Sequence, residues 1–238
     1  MPATPRPSLL ATRYGVAAVV GSDPAARSLE IYGEWAEHET DLLSGLLDEG
    51  NTVLEVGGDY AAHAMWMSPA VGATGQIHVV EPHRLRFQRL CANLALNGLD
   101  NVFAHPLWLG RDADATLAAA REPGSVRTAT LDSLALDRLH LLKVNLPHAL
   151  VDAIASGEAT LRRHRPLIYA RLSGLNESAG EIAAIKALGY RVWSHLPFLF
   201  NVDNHAGAED NLFPGIVHQN VIAAPLEGRF DCTGRTEL

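Results

Sequence analysis

The chain has 238 residues, of which 47% are hydrophobic, and this is ample apolar material for one large α/β domain. A formal net charge of −8 argues against a nucleic-acid binder, which would need clustered lysine and arginine side chains. The two cysteines, Cys91 and Cys232, form no disulfide framework, and no apolar run reaches transmembrane length. We therefore expect a cytoplasmic protein that contacts neither nucleic acid nor a membrane.

The first fifty residues precede the predicted core. Residues 1–26 predict a proline-containing tail and a short strand, and residues 27–50 predict a segment that reaches the core through a helix. Tyr32, Glu34 and Trp35 lie within that segment. They form either an ordinary helix start with one buried aromatic ring or a lid over a bound cofactor, which Glu34 would then contact. Residues 51–238 predict the core, and all of it belongs to one domain.

The central feature of the core is the stretch over residues 52–63. A buried strand breaks at Gly57 and Gly58 into a loop of small residues, and a helix follows. Glycine reaches backbone angles that other residues avoid, so a ligand can lie against the main chain. In open α/β sheets, nucleotide-like cofactors bind at such a loop. The loop lacks the G-x-G-x-x-G pattern, however, and by itself it fits any tight turn between a strand and a helix.

Acidic residues decide which cofactor the loop favours. The next apolar strand ends at Glu81, about 20–25 residues beyond the loop, where a carboxylate can accept both ribose hydroxyls. Glu55 lies in the first strand itself. S-adenosylmethionine has no pyrophosphate for a helix N-terminus to bind, but its sulfonium and ammonium groups favour nearby carboxylates. The pattern therefore predicts this cofactor. A dinucleotide oxidoreductase is a weaker alternative, because its glycine motif is missing.

The rest of the chain alternates between strands and helices. Apolar positions predict strands at residues 102–106, 139–144, 166–170, 190–193 and 220–224, and helices at residues 85–97, 150–161 and 182–188. Residues 112–123 predict a polar excursion, and residues 198–218 a long loop of the kind that is often functional. This alternation predicts a mostly parallel sheet with helices on both faces.

With these segments placed, the sequence resembles the FkbM-type family of S-adenosylmethionine-dependent methyltransferases over residues 27–225. Separate matches occur in the family's order: the segment 27–35, the loop 53–64, Glu81-Pro82, the helix and turn 92–102, L-D-x-L at 131–134 and the asparagine-rich segment 200–220. The resemblance implies an α/β, Rossmann-like class I methyltransferase fold with seven strands, the last one antiparallel. It also implies methyl transfer, commonly to a hydroxyl oxygen of a sugar or natural product.

The resemblance also assigns cofactor contacts and shows departures from the family. By position, the cofactor would contact Glu55, Gly57, Gly58, Asp59, Ala61, Glu81 and Pro82, with His83 and Trp108 near the ribose and adenine. Asp59 and Ala61 replace the family's usual asparagine and glycine. At the fourth strand the family's K-[IV]-D-V-E-G becomes K-V-N-L-P-H over residues 143–148. Because two acids are lost beside the acceptor position, either the acceptor or the chemistry differs.

A hydroxyl acceptor needs a base that titrates near neutrality, which is most often histidine. His148, His205 and His218 are candidates, since each is expected on a loop at the carboxyl edge of the sheet, although each also fits a surface or capping role. Asn145 could hold the cofactor's methionine end or the acceptor. We predict a methyltransferase with a small-molecule acceptor in a biosynthetic pathway; the sequence indicates no metal ligands, and metal dependence and a homodimer are left open. The alternative is a cofactor-binding relative with another reaction or a non-catalytic partner role.

Overall fold

The structure is a computed structural model that describes residues 8–111, 127–228 and 230–238. The predicted polar excursion over residues 112–123 and the first seven residues of the predicted tail lie outside these ranges. The strands are β1 (Ser8–Thr12), β2 (Gly15–Val19), β3 (Thr52–Val56), β4 (Gln76–Val80), β5 (Val102–His105), β6 (Trp108–Leu109), β7 (Thr128–Ala129), β8 (Leu141–Val144), β9 (Leu167–Arg171), β10 (Tyr190–His195) and β11 (Asn220–Pro225). The helices are α1 (Pro24–Tyr32), α2 (Glu37–Ser44), α3 (Ala62–Val71), α4 (Arg84–Leu96), α5 (Ala149–Ser156), α6 (Glu158–His164) and α7 (Ser178–Ala187), with a 3₁₀ turn at Leu131–Leu134.

Seven strands form the central sheet in the order β10-β11-β9-β8-β3-β4-β5. The pairs among β9, β8, β3, β4 and β5 are parallel, whereas β11 is antiparallel to both of its neighbours. The predicted seven-stranded, mostly parallel sheet is therefore confirmed. The chain leaves β3 toward β4 and later returns to its other side at β8, so the carboxyl end of β3 is a topological switch point, where α/β sheets bind ligands.

The two faces of the sheet bury separate apolar layers. β3 is fully buried and supplies both, with Val53 facing one layer and Leu54 and Val56 facing the other. Helices α1 to α4 pack on the first face and α5 to α7 on the second. Because both faces are covered, the strand can be a nearly continuous apolar run. Glu55 is thus the exception in its strand, a carboxylate with no exposed surface.

Two predicted segments differ in the structure. The single helix predicted over residues 150–161 is two helices, because α5 ends at Gly157. A Cβ atom at this position would lie 2.8 Å from the Leu131 Cβ, so the chain packs too tightly there for another residue. Within the predicted tail, residues 8–12 form β1, which pairs with β2 in a hairpin. Asn93 of α4 and Asn97, which follows that helix, fix this hairpin through hydrogen bonds with its backbone, which local sequence patterns do not reveal.

None of the helices in the described parts of the chain is both long enough and apolar enough to cross a membrane. Both cysteines are free thiols.

Candidate functional site

The loop after β3 combines close packing with unusual backbone angles. Gly57 has φ +90°, and a Cβ atom there would lie 2.9 Å from the Leu146 backbone nitrogen. At Gly58 a Cβ atom would lie 2.5 Å from Cγ1 of Val79. Asp59 and Ala61 also have positive φ, at 34° and 63°, without being glycine. The glycines are therefore required by the loop's own packing, and the two strained residues that follow are typical of a ligand-binding turn.

Glu81 lies immediately after β4, next to this loop in the sheet, and has no exposed surface. Its Oε1 accepts a hydrogen bond from the His83 backbone N–H at 2.9 Å and lies 2.9 Å from His83 Nδ1. Its Oε2 is buried and has no hydrogen-bond partner among the described residues. A buried carboxylate oxygen without a donor is costly, so this atom is suited to a ligand hydroxyl. Pro82, which lies between Glu81 and His83 in the sequence, is also buried.

Asn145 and Glu55 join the carboxyl ends of β8 and β3. The Asn145 amide donates to Glu55 Oε1 at 2.7 Å and to the Gly57 carbonyl at 3.0 Å, while its Oδ1 accepts from Lys143. His63 Nδ1 lies 3.2 Å from Glu55 Oε1. The Asn145 side chain is thus occupied by the protein's own groups. Glu55 Oε2, by contrast, is buried without a partner among the described residues.

A second buried carboxylate, Glu39 of α2, lies at the centre of a network of polar side chains. Its Oε2 accepts from Lys143 Nζ at 2.9 Å, and its Oε1 lies 2.8 Å from His218 Nδ1 and accepts from Asn220 at 2.9 Å. Burial opposes the ionisation of Glu39, but Lys143 and His218 outweigh it and hold the pKa of this carboxyl well below its usual range. Glu39 is therefore a fixed negative charge beneath the carboxyl edge of the sheet.

A cleft of about 280 Å³ lies above this network. It is bounded by the start of α1, by the loop after β3, by α4 and by the segment before β11. Its lining residues are Asp23, Pro24, Ala25, Trp35, Asp59, Tyr60, Arg86, Arg89, Arg171, Leu199, Ile216 and His218. Burial, and secondarily Glu81, raise the pKa of the Asp59 carboxyl to about 6. The cleft therefore contains an acidic group of unusual pKa beside cationic and aromatic side chains.

His218 is the one predicted base that lines the cleft. Its Nδ1 faces Glu39, its Nε2 lies 3.3 Å from Arg171 Nη1, and its ring meets Trp35 edge-on at 5.6 Å between centroids. A carboxylate at Nδ1 favours the tautomer in which Nε2 carries the lone pair. Burial lowers the pKa of His218 below 6.5, against the opposing effect of Glu39. The imidazole is therefore neutral at pH 7 and can accept a proton at Nε2.

The other two histidine candidates lie elsewhere on the surface. His148 is exposed and precedes α5 with φ +67°, and its backbone N–H donates to Ser173 Oγ at 2.7 Å. His205 is also exposed, and its backbone N–H donates to Glu34 at 2.8 Å. Neither lines the cleft that contains His218.

Glu34 and Trp108 have partners that account for their positions. Glu34 forms an ion pair with Arg13 at 2.7 Å and accepts from Asn201 at 2.9 Å, so it joins the β1–β2 hairpin to the long loop before β11. The buried Trp108 donates from Nε1 to Asp152 of α5 at 2.9 Å. Neither side chain lines the cleft. Trp35, the sequence neighbour of Glu34, does line the cleft, and this is the position that a lid residue would take.

Several residues of the site carry no local signal in the sequence. Glu39 meets His218 across 179 positions of the chain. Arg86, Arg89 and Arg171 reach the cleft from α4 and β9. One signal was available for Arg171, because it ends a strand predicted to be parallel and therefore lies at the carboxyl edge. His63 follows Glu55 by eight positions in the predicted cofactor stretch and offered a similar clue.

Comparisons with known proteins were made at the level of sequence and of structure. No family model matches the sequence, and no curated protein matches it significantly. Three solved structures share the architecture. A precorrin-6y C5,15-methyltransferase from Geobacter metallireducens is 14% identical, with 79% of this chain and 88% of that chain aligned and a TM-score of 0.53. An S-adenosylmethionine-dependent O-methyltransferase from Thermotoga maritima is 14% identical, with 94% and 79% aligned and a TM-score of 0.53. Methyltransferase FkbM from Methylobacillus flagellatus is 13% identical, with 85% and 55% aligned and a TM-score of 0.53.

The chain has the class I methyltransferase fold. This confirms the predicted fold class, with the Rossmann-like sheet order and the antiparallel strand β11. Identities of 13–14% establish the fold alone, so the activity has to be argued from the site.

Proposed function

We propose that the protein is an S-adenosylmethionine-dependent methyltransferase that acts on a small molecule. The observation that carries this proposal is Glu81, a fully buried carboxylate beside the loop after β3, with one oxygen lacking a partner among the described residues. The ribose of an adenosyl group supplies hydroxyl donors for such an oxygen. Glu81 stands at the end of the strand next to the glycine loop, as the predicted pairing of these two features requires.

The remaining residues near the loop suit a cationic cofactor. Glu55 and Asp59 contribute carboxyl groups to a part of the site that has little solvent, where a sulfonium and an ammonium group would be favoured. The pKa of Asp59, raised to about 6, shows how strongly this position disfavours an uncompensated negative charge. When bound, S-adenosylmethionine supplies the methyl group for transfer. The chain's own task is then to align an acceptor and to remove its proton.

The Glu39–His218 pair is the proposed base. Glu39 orients the imidazole through Nδ1, so the Nε2 lone pair accepts from Arg171 Nη1 at 3.3 Å. An acceptor hydroxyl that displaces this contact can give its proton to Nε2. This arrangement supports transfer to oxygen. The FkbM-type family and a hydroxyl acceptor in a biosynthetic pathway are the finer part of the proposal, supported by the sequence motifs and by the likeness to an O-methyltransferase and to FkbM. The net charge of −8 favours a small acceptor over a nucleic acid.

Calorimetric titration with S-adenosylmethionine and S-adenosylhomocysteine tests the proposed cofactor. We expect saturable binding that Glu81→Ala weakens by about 10- to 100-fold, because hydrogen bonds to a buried carboxylate are lost. Glu30→Ala, a matched change at an exposed glutamate of α1, should bind as the unaltered protein does. Absence of binding at millimolar cofactor would refute the proposal.

A second function, a cofactor-binding relative that does other chemistry or serves a catalytic partner, is favoured by one observation. Asn145 replaces the family's acid, and its side chain is wholly engaged with Lys143, Glu55 and Gly57. Incubation with S-adenosylmethionine and a pathway extract separates the two. Formation of S-adenosylhomocysteine together with a methylated product supports the first function, and cofactor binding without either supports the second.

A further inference from the structure

The cleft is lined by three arginines that have no part in the cofactor site proposed above. Arg86 and Arg89 are three residues apart on α4, so they lie on the same face of that helix. Arg171 ends β9 on the opposite wall. All three line the same cleft, in a chain whose net charge is −8. A cluster of arginines around one cleft of an acidic protein is a feature that solubility does not require.

These three arginines differ from others in the chain in their partners. Arg13, Arg165 and Arg191 each form an ion pair with a glutamate at 2.6–2.7 Å. Within the described ranges, the three cleft arginines have no such carboxylate partner. Arg171 meets the neutral ring of His218 at 3.3 Å, and Arg89 meets the Tyr60 hydroxyl at 3.4 Å. Most of their N–H donors therefore remain open to the cleft.

The carboxylates in the cleft do not take up these donors. Asp23 accepts from the Ala26 backbone N–H at 2.9 Å and from the Tyr60 hydroxyl at 3.1 Å, so both of its oxygens are engaged. Asp59, whose pKa burial raises to about 6, forms no ion pair with the three arginines within the described ranges. The remaining lining is apolar or aromatic and includes Trp35, Leu199 and Ile216. A ligand that matches this cleft has an anionic group on an apolar body.

We propose that the methyl acceptor carries an oxyanion, a carboxylate or a phosphate, bound by Arg171 together with Arg86 and Arg89, while its apolar part packs against Trp35. This inference rests on the proposed function and deepens it. A guanidinium offers two parallel N–H donors that match a carboxylate or phosphate, which a neutral sugar or alcohol cannot use equally well. Arg171 also contacts His218, so an anion bound there brings the acceptor to the proposed base.

The test uses the full chain saturated with S-adenosylmethionine and three phenyl probes: benzoate, phenyl phosphate and the neutral benzyl alcohol. In low salt, we expect calorimetry to detect benzoate or phenyl phosphate, and the stronger of the two identifies the kind of oxyanion. Benzyl alcohol should bind about tenfold more weakly or not at all. Arg171→Gln and Arg86→Gln should each weaken the anion by about tenfold or more. Arg86 is exposed, so its variant tests the inference without disturbing the fold.

Arg163→Gln is the matched control. It removes the same charge from an exposed position in α6, a helix that leads into the amino end of β9, and anion binding should be unchanged. Equal binding of benzyl alcohol, or variants that bind the anion like the unaltered protein, would overturn the inference. So would a tenfold loss of S-adenosylmethionine affinity in Arg171→Gln, because the arginine would then serve the cofactor's own carboxylate. Failure of the cofactor itself to bind would refute the proposed function as well.

Discussion

Asp59→Asn should stabilise the free protein and weaken its binding of the cofactor. Asp59 follows Gly58 with φ +34°, and burial, with a further contribution from Glu81, raises its pKa from 3.8 to about 6. A carboxyl group whose pKa is higher in the folded chain than in the unfolded chain favours folding while it is protonated. That stability is lost as the pH rises through the folded pKa. Asparagine mimics the protonated form, and it tolerates positive φ.

The pKa difference sets the size and the pH range of this effect. With about 1.36 kcal/mol for each pKa unit, the free energy of unfolding of Asp59→Asn should exceed that of the unaltered protein by about 3 kcal/mol at pH 8. At pH 4 the difference should shrink to about 0.5 kcal/mol, because Asp59 is then protonated in the folded chain and only partly ionised in the unfolded chain. The side chain is partly exposed, so screening by solvent makes these values upper limits.

Urea denaturation at pH 4, 6 and 8 measures the difference, and Asp48→Asn serves as a control at an exposed aspartate. Titration with S-adenosylmethionine at pH 8 should show weaker binding to Asp59→Asn, since a carboxylate facing the cation is lost. A stability difference that does not grow between pH 4 and pH 8 would refute the reasoning. An asparagine variant that is more stable and also binds the cofactor more tightly would refute the proposed contact between the Asp59 carboxylate and the cofactor.

Two further predictions concern the buried network. Glu39→Gln leaves Lys143 without its counter-charge, so the free energy of unfolding should fall by about 3–5 kcal/mol. Because the double variant Glu39→Gln/Lys143→Met removes the unpaired charge, it should be more stable than Glu39→Gln alone. Urea denaturation measures both, and a less stable double variant would contradict the pairing. His218→Asn should lower the rate of methyl transfer by about 10²–10⁴-fold with cofactor affinity unchanged, and the unaltered enzyme should lose rate only below pH 6.5, where the imidazole becomes protonated. A rate profile that is unaffected by this substitution would exclude His218 as the base.

The sequence predicted the sheet well because its strands are apolar runs separated by turn residues. β3, β4, β8 and β9 were placed to within about two residues, and the number of strands with an antiparallel last strand followed from the family resemblance. The errors fell where packing over long distances decides the structure. Gly157 lies inside the predicted helical pattern because contact with Leu131 leaves no room for a Cβ atom, and residue 8 begins a strand of a hairpin that is fixed by Asn93 and Asn97, far along the chain. Neither cause is local.

The candidate site was predictable only where it follows the strand ends. Glu55, Gly57, Gly58 and Glu81 were predicted from the strand–loop–helix pattern and its spacing, and Asp59 from the family resemblance. The structure places all five at the carboxyl edge of β3 and β4, and their contact with a cofactor stays a prediction. Glu39 was not identified, because a carboxylate in an amphipathic helix resembles a solvated residue until the tertiary contacts are known. The choice among three histidines likewise required the structure, which puts only His218 in the cleft.

The fourth-strand motif differs from the family pattern in its acidic residues, and in the structure another carboxylate lies beside its lysine. In the family pattern an acid follows the lysine by two positions, and here that position is Asn145. The Asn145 amide now links Lys143 to Glu55, while the negative charge that Lys143 needs comes from Glu39 of α2. Glu39 also holds His218. In the proposed function, the carboxylate beside Lys143 thus comes from α2 rather than from the strand, and it supports the base His218 rather than facing the acceptor directly.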